Sequence, residues 1–361
     1  MTEELIVQQE GSAGRITLNR PKALNALSLD MVHGMLAALE AWKTDETVRL
    51  IIVDGAGERG LCAGGDIRAL YKSAQEEDGI AQQFWADEYK LNALIANYPK
   101  PYVAIMDGIV MGGGVGVSAH GSNRIVTERS MIAMPETAIG LFPDVGGTWL
   151  LANAPGEIGT FLGLTGHRVG ASDAIYAGLA DIEISSERLP ALIDMLAAAD
   201  YGGNAHSDVD TILRSFTIAS GQAALAVQRG EIDNVFSCDR VEDIVDAAKK
   251  LGTDWGDKTA KGLSERAPHS MKVTLAAIRK AATLSGIEED LDMEYRLALR
   301  MFARGDFSEG VRAAVIDKTG DPKWNPATLE GVSNDMVTSC FESLGDKELG
   351  LAAGLSTGII R

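Results

Sequence analysis

Cysteine is scarce in this 361-residue chain: Cys62, Cys238 and Cys340 lie far apart and without CxxC spacing. A disulfide framework or a zinc knuckle is thereby disfavoured, and a reducing compartment fits, so a cytoplasmic protein is expected. The five histidines, His33, His120, His167, His206 and His269, show no H-E-x-x-H or paired spacing, which argues against a metal site. Positive charge is also in deficit, with 33 Lys and Arg against 51 Asp and Glu and a net charge of −18. No basic face can easily dominate such a field, which argues against a general nucleic-acid binder. A few local cations or backbone amides can still hold a phosphorylated ligand. There is no stretch of about 18 apolar residues. The start, "MTEELIVQQEGSAG", has neither the basic nor the apolar segment of an export signal, so no membrane span and no secretion are expected. Aromatic residues make up only 6% of the chain, against 46% hydrophobic residues, so Ala, Leu, Ile and Val must fill the core, as in helix-rich α/β proteins.

The pattern that is present begins with "LIVQQEGSAGRITLN" (5–19), two short strands around a Gly/Ser turn. Ser28 is a good N-cap for "LDMVHGMLAALEAWKTD", whose apolar residues recur at helical spacing, and "VRLIIVDG" then reads as a buried strand. The glycine-rich "GLCAGGD" leads into a helix at "IRALYKSAQ", a long helix covers about 80–97, and "KPYVAIMDG" is another buried strand. "GIVMGGGVGVSAHG" reads as a loop feeding a helix, followed by strands at "NRIVTE" and "MIAMPE" and a helix around "GGTWLLANA". Strands alternating with crossover helices predict a layered α/β region over 1–185, and 186–361 is predicted mainly helical.

Two familiar motifs fail. "GAGERG" (55–60) fits G-x-G-x-x-G after a strand, but no helix opens at its third glycine, so a plain turn is the better reading. "GVSAH" (116–120) lacks the second glycine of a serine-hydrolase elbow, which leaves Ser118 as a helix residue.

Two other glycine-rich turns, "CAGGD" (62–66) and "MGGGVG" (111–116), each sit at a strand-to-helix transition. Without Cβ atoms, such turns let backbone N–H groups approach a ligand, and two amides facing one point form an oxyanion hole for a thioester or ester carbonyl. Tight packing of helix on strand would explain either turn alone. "MPETAIGLFPD" (134–144) adds Glu136 and Asp144, two carboxylates in an apolar stretch. A first-turn acid would account locally for Glu136 and a turn residue for Asp144.

Both turns, followed by "MPETAIGLFPDVGG", resemble the crotonase (enoyl-CoA hydratase/isomerase) superfamily. The resemblance extends over nearly the whole chain, from "LNRPKALNALSLDM" to "MEYRL", "DFSEGVRA", "IDK" and "PKW". It implies an α/β fold, a crotonase-like spiral of ββα units with a helical C-terminal region, and an acyl-CoA ligand with no separate cofactor. It further implies that the amides of Gly65 and Gly113 form the oxyanion hole. Glu136 would be the catalytic carboxylate, with Asp144 across the pocket and Glu88 in the substrate-binding wall. For Glu88, with Asp87 and Lys90 beside it, a solvated helix face is the competing explanation. CoA would lie along Lys22, Ala23 and Leu24, with Ala63, Gly64 and Gly65 nearby. Hydratases of this family carry a first glutamate shortly after the GGG turn; here Gly116 stands at that position, which argues against hydration. The implied activity is therefore hydrolysis of a short branched β-hydroxyacyl-CoA, yielding 3-hydroxyisobutyrate and CoA as in valine breakdown. A hydratase or isomerase and a non-catalytic acyl-CoA-binding protein are the alternatives, and assembly into a homo-oligomer is compatible with the helical C-terminal region.

Overall fold

The hairpin expected at the start is present: β1 (Leu5–Glu10) and β2 (Ala13–Leu18) pair antiparallel, with Glu10 opposite Ala13. The computed structural model describes residues 3–353. Among the described residues six further strands follow, β3 (Leu50–Gly55), β4 (Tyr102–Met106), β5 (Ile109–Met111), β6 (Asn123–Val126), β7 (Met131–Ala133) and β8 (Ile182–Glu183). Beyond the hairpin the main sheet is parallel, in the order β1-β2-β3-β4-β6-β8, and β5 pairs with β7 in a separate two-stranded parallel sheet. β3 and β4 are buried almost throughout because both of their faces are covered, whereas β1, at the edge of the sheet, is buried only at Leu5. "GIVM", expected within a loop, supplies β5 instead.

Packing divides the chain into two compact units that interleave in sequence. The first comprises 1–66, 90–133 and 169–226, the second 67–89, 134–168 and 227–361. These units do not follow the linear division at 185/186. The helical stretches 67–89 and 134–168 belong with the C-terminal helices, a long-range pairing that local composition does not encode. In the first unit the helix Leu29–Lys43 starts on the Ser28 hydroxyl, which accepts from Met31 N. Its core lies where Ala13, Leu50, Ile52, Val103, Ile105 and Ile125 of the sheet meet Leu189, Leu192, Ile193 and Leu196 of the helix Leu189–Ala198. The second unit centres on the helix Pro268–Ala281, which packs on Gly147–Ala152 and Ile158–Thr165. Gly163 permits that approach, since a Cβ there would stand 2.8 Å from Ile278 Cδ1. Cys62 and Cys340 are buried and Cys238 is half-buried.

Candidate active site

The predicted site residues fall into two groups, one in each unit. In the first unit, three chain segments are laced together by backbone hydrogen bonds. Ala63 N donates to Leu24 O at 3.0 Å, Leu27 N to Gly64 O at 2.9 Å, and Asp66 N to Leu27 O at 2.9 Å. On the other side Cys62 N donates to Ile109 O at 3.1 Å and Met111 N to Cys62 O at 3.0 Å. Lys22, Ala23 and Leu24 are thus brought beside Ala63, Gly64 and Gly65, and these beside the turn that carries Gly113.

Side chains lock this arrangement. Leu24 and Asn25 both have φ of 54°, a conformation that Asn tolerates better than most residues. Asn25 accepts from Arg20 N at 2.9 Å and donates to Ala56 O and Gly60 O, each at 3.0 Å. Arg20 reaches Ala26 O at 2.7 Å and Asp66 Oδ2 at 2.8 Å. "GAGERG" is therefore a structural turn held by Asn25, in keeping with its sequence reading.

Glycine is obligatory at two places here. Gly64 has φ of +116°, and a Cβ on Gly114 would stand 2.3 Å from Cys62 O. Gly113 opens the short helix Gly113–Gly116, so its N–H has no intrahelical acceptor. Gly65 N is not engaged by a backbone carbonyl in this network among the described residues.

The second unit holds three buried carboxylates. Glu88 is 2% exposed, Glu136 5% and Asp144 5%. The solvated-face explanation of Glu88 is thereby excluded, whereas Glu136 is a first-turn acid as its local reading had it, but a buried one. Glu136 begins the 3-10 turn Glu136–Ile139, closed by Leu141 N donating to Glu136 O at 3.0 Å. The helix Asp306–Val311 clamps this turn: a Cβ on Gly140 would meet Asp306 O at 2.3 Å, and one on Gly310 would meet the Ile139 backbone at 2.5 Å. Gly310 belongs to "DFSEGVRA", which gives that C-terminal motif a physical role in seating Glu136.

Asp144 is the best satisfied of the three. Tyr89 OH donates to its Oδ2 at 3.0 Å, and Trp85 adds a second side-chain hydrogen bond. By contrast, Glu88 Oε1 and Glu136 Oε2 are buried with no hydrogen-bond partner among the described residues. Ionisation follows this difference. Burial raises the Asp144 pKa, but the hydrogen bonds from Tyr89 and Trp85 oppose it, leaving a value of about 6. Burial, reinforced by the Asp144 charge, pushes both Glu88 and Glu136 well above the usual carboxylate range. Of the three, Asp144 thus gives up its proton most readily, and Glu88 and Glu136 hold theirs more tightly than ordinary carboxyl groups.

Trp85 and Tyr89 were missed by the sequence reading. Trp85, Glu88 and Tyr89 stand at i, i+3 and i+4 on the helix Ile80–Ala96, one face of which therefore presents all three. That spacing was the available signal.

The chain belongs to the enoyl-CoA hydratase/isomerase family, whose model matches residues 13–341. It is 44% identical over 353 residues to "3-hydroxyisobutyryl-CoA hydrolase, mitochondrial" of Danio rerio, covering 96% of this chain and 92% of that one. Identity to the Homo sapiens protein of the same name is 39%, with coverage of 96% and 90%. Among solved structures it is similar to a carnitinyl-CoA dehydratase from Mycobacterium thermoresistibile, with a TM-score of 0.91, 43% identity and coverage of 96% and 98%. An enoyl-CoA hydratase from Rhodobacter sphaeroides 2.4.1 gives a TM-score of 0.89, 40% identity and coverage of 96% and 99%. The mitochondrial names of the curated relatives overturn the cytoplasmic expectation. Sparse, unpaired cysteines argue against an oxidising compartment but do not choose among reducing ones.

Proposed function

We propose that this protein hydrolyses the thioester of 3-hydroxyisobutyryl-CoA to 3-hydroxyisobutyrate and free CoA, a step of valine breakdown. The observation that carries this reading is the carboxylate set itself: Glu136 buried with one unpartnered oxygen, and Asp144 held by Tyr89. The similarity to hydrolases over nearly the whole chain supports it.

In this mechanism the amides of Gly65 and Gly113 polarise the acyl carbonyl and stabilise the oxyanion that forms on it. Ionised Glu136 takes a proton from water as the water oxygen bonds to the carbonyl carbon; the C–S bond then breaks and the thiolate leaves with a proton. Direct attack by the Glu136 carboxylate, giving a mixed anhydride that water then cleaves, uses the same ionised group. A single turnover in ¹⁸O-water separates the two routes, because only the anhydride route can place label in the Glu136 carboxyl. The raised pKa makes Glu136 a stronger base once ionised. Asp144 and Glu88 supply polar contacts suited to the β-hydroxyl, with Asp144 orienting that hydroxyl or the water and assisting thiolate protonation. The CoA portion lies along the backbone of Lys22, Ala23 and Leu24, beside Ala63 and Gly64.

The names of the two solved structures favour hydration as a second reading. Against it stands Gly116, where the hydratase branch has a carboxylate. The deciding experiment incubates the protein with 3-hydroxyisobutyryl-CoA and a thiol reagent, and separately with a short enoyl-CoA. Thiol release from the first supports hydrolysis; loss of enoyl absorbance without thiol release would replace it with hydration.

A further inference from the structure

"MEYRL" near the C-terminus has no role in the mechanism above, yet its Glu294 is fully buried in the second unit. It lies on the helix Ile287–Arg304, one turn after the equally buried Asp290. Glu294 Oε2 accepts from Gly146 N at 2.7 Å, and its Oε1 accepts from Thr148 N at 2.9 Å and is 2.7 Å from Thr148 Oγ1. Asp290 lies 2.9 Å and 3.1 Å from the same hydroxyl and accepts from Trp149 N at 3.1 Å. Thr148 has one hydroxyl proton for two carboxyl groups, so the cluster is satisfied only when one carboxyl retains a proton.

The segment gripped in this way is unusual. Val145 has φ of +58° and Gly146 φ of +74°, two successive left-handed residues immediately after Asp144. A β-branched residue in that region persists only where its surroundings over-determine it. The helix Gly147–Ala152 that follows has no N-cap side chain of its own, so Glu294 and Asp290 receive its leading amides from another helix. Asp144 O accepts from Gly147 N at 2.7 Å, which ties the Asp144 backbone to the same clamp.

We propose that Glu294 is a positioning residue for Asp144: its carboxyl group grips the Gly146 and Thr148 amides, holds the left-handed Val145–Gly146 turn, and thereby fixes the direction of the Asp144 carboxylate. Asp290 and Thr148 complete the clamp. The consequence is that selectivity for a β-hydroxylated acyl group depends on a residue that does not touch the substrate. This inference rests on the reading that Asp144 addresses the substrate hydroxyl.

The test compares kcat/KM for 3-hydroxyisobutyryl-CoA and isobutyryl-CoA, which lacks the hydroxyl, in wild type, D144N, E294Q and T148V, with folding checked by circular dichroism. E294Q replaces an acceptor oxygen with an NH2 group facing an amide donor. It is expected to lower the hydroxylated-to-plain ratio by about 10-fold or more. T148V, which keeps both amides, is expected to lower the ratio by about 3-fold and decides the matter if E294Q does not fold. A D144N protein with the wild-type ratio would refute the assignment of Asp144, and the inference with it. A lowered ratio in D144N beside a wild-type ratio in folded E294Q, or in T148V where E294Q does not fold, would overturn the role of Glu294 alone.

Discussion

The two units recruit chemistry from different parts of the polypeptide. In the sheet-bearing unit the candidate ligand contacts are backbone amides, and the side chains around them are engaged: Arg20 with Asp66, and Asn25 with three partners. In the helical unit the candidates are side-chain carboxylates, buried and incompletely paired. Backbone donors cannot titrate and are disrupted mainly by adding a Cβ. Carboxylates titrate, repel one another and cost stability when charged in a dry site. One unit should therefore respond to shape and the other to pH.

The largest expected effect breaks the carboxylate side of this contrast. Glu136→Gln should lower kcat by about 10³-fold or more while the Kd for CoA stays within about 3-fold, measured by thiol release and by calorimetry. Full activity would mean that the catalytic group lies elsewhere. Next, on the backbone side, Gly114→Ala forces a Cβ to within 2.3 Å of Cys62 O and should displace the Gly113 amide. A loss of about 3 kcal/mol, on the order of 10²-fold in kcat/KM, is expected, with the pH profile of the residual activity unchanged.

A pH experiment sharpens the comparison. Because Glu136 must be ionised to act, the acid limb of kcat/KM should lie above the ordinary carboxylate range. Asp144→Asn removes a charge that raises Glu136, so the limb of the residual activity should move to lower pH. A limb that stays in place would show that Asp144 does not act on Glu136.

The smallest effect concerns stability. Burial raises the folded-state pKa values of Glu88, Glu136 and Glu294, so the folded state binds protons more tightly than the unfolded chain. This contribution is fully present below the unfolded pKa and is lost as pH rises through the raised values, so Tm should fall as pH rises above the ordinary carboxylate range. At a pH above the acid limb of activity, Glu136→Gln should be more stable than wild type, although inactive. Equal melting curves at that pH would argue against a costly buried charge.

Much of this was legible locally. Ser28, the continuous apolar runs of β3 and β4, and the two glycine turns each depend on neighbours close in sequence. β5 was hidden because three residues inside a glycine-rich stretch show no periodicity; it becomes a strand only through β7. The interleaving of the units depends equally on distant partners. Among site residues, Glu136 and Asp144 stood out through the family motif, whereas Glu88 among Asp87 and Lys90 resembled a solvated face. The burial of Glu88 reflects how the helix Ile80–Ala96 packs, and Tyr89 acquires a role only through its bond to Asp144. Glu294 was visible as part of a motif, but its function depends on a strained turn about 150 residues upstream.

The placement of the three thiols bears on the assay that would establish the activity. With Cys62 and Cys340 enclosed and Cys238 half-open, the native enzyme should contribute about one slowly reacting sulfur per chain to a thiol-reagent blank. A faster or larger background would report that the protein had opened before any CoA was released, so each turnover trace carries its own check on the integrity of the fold.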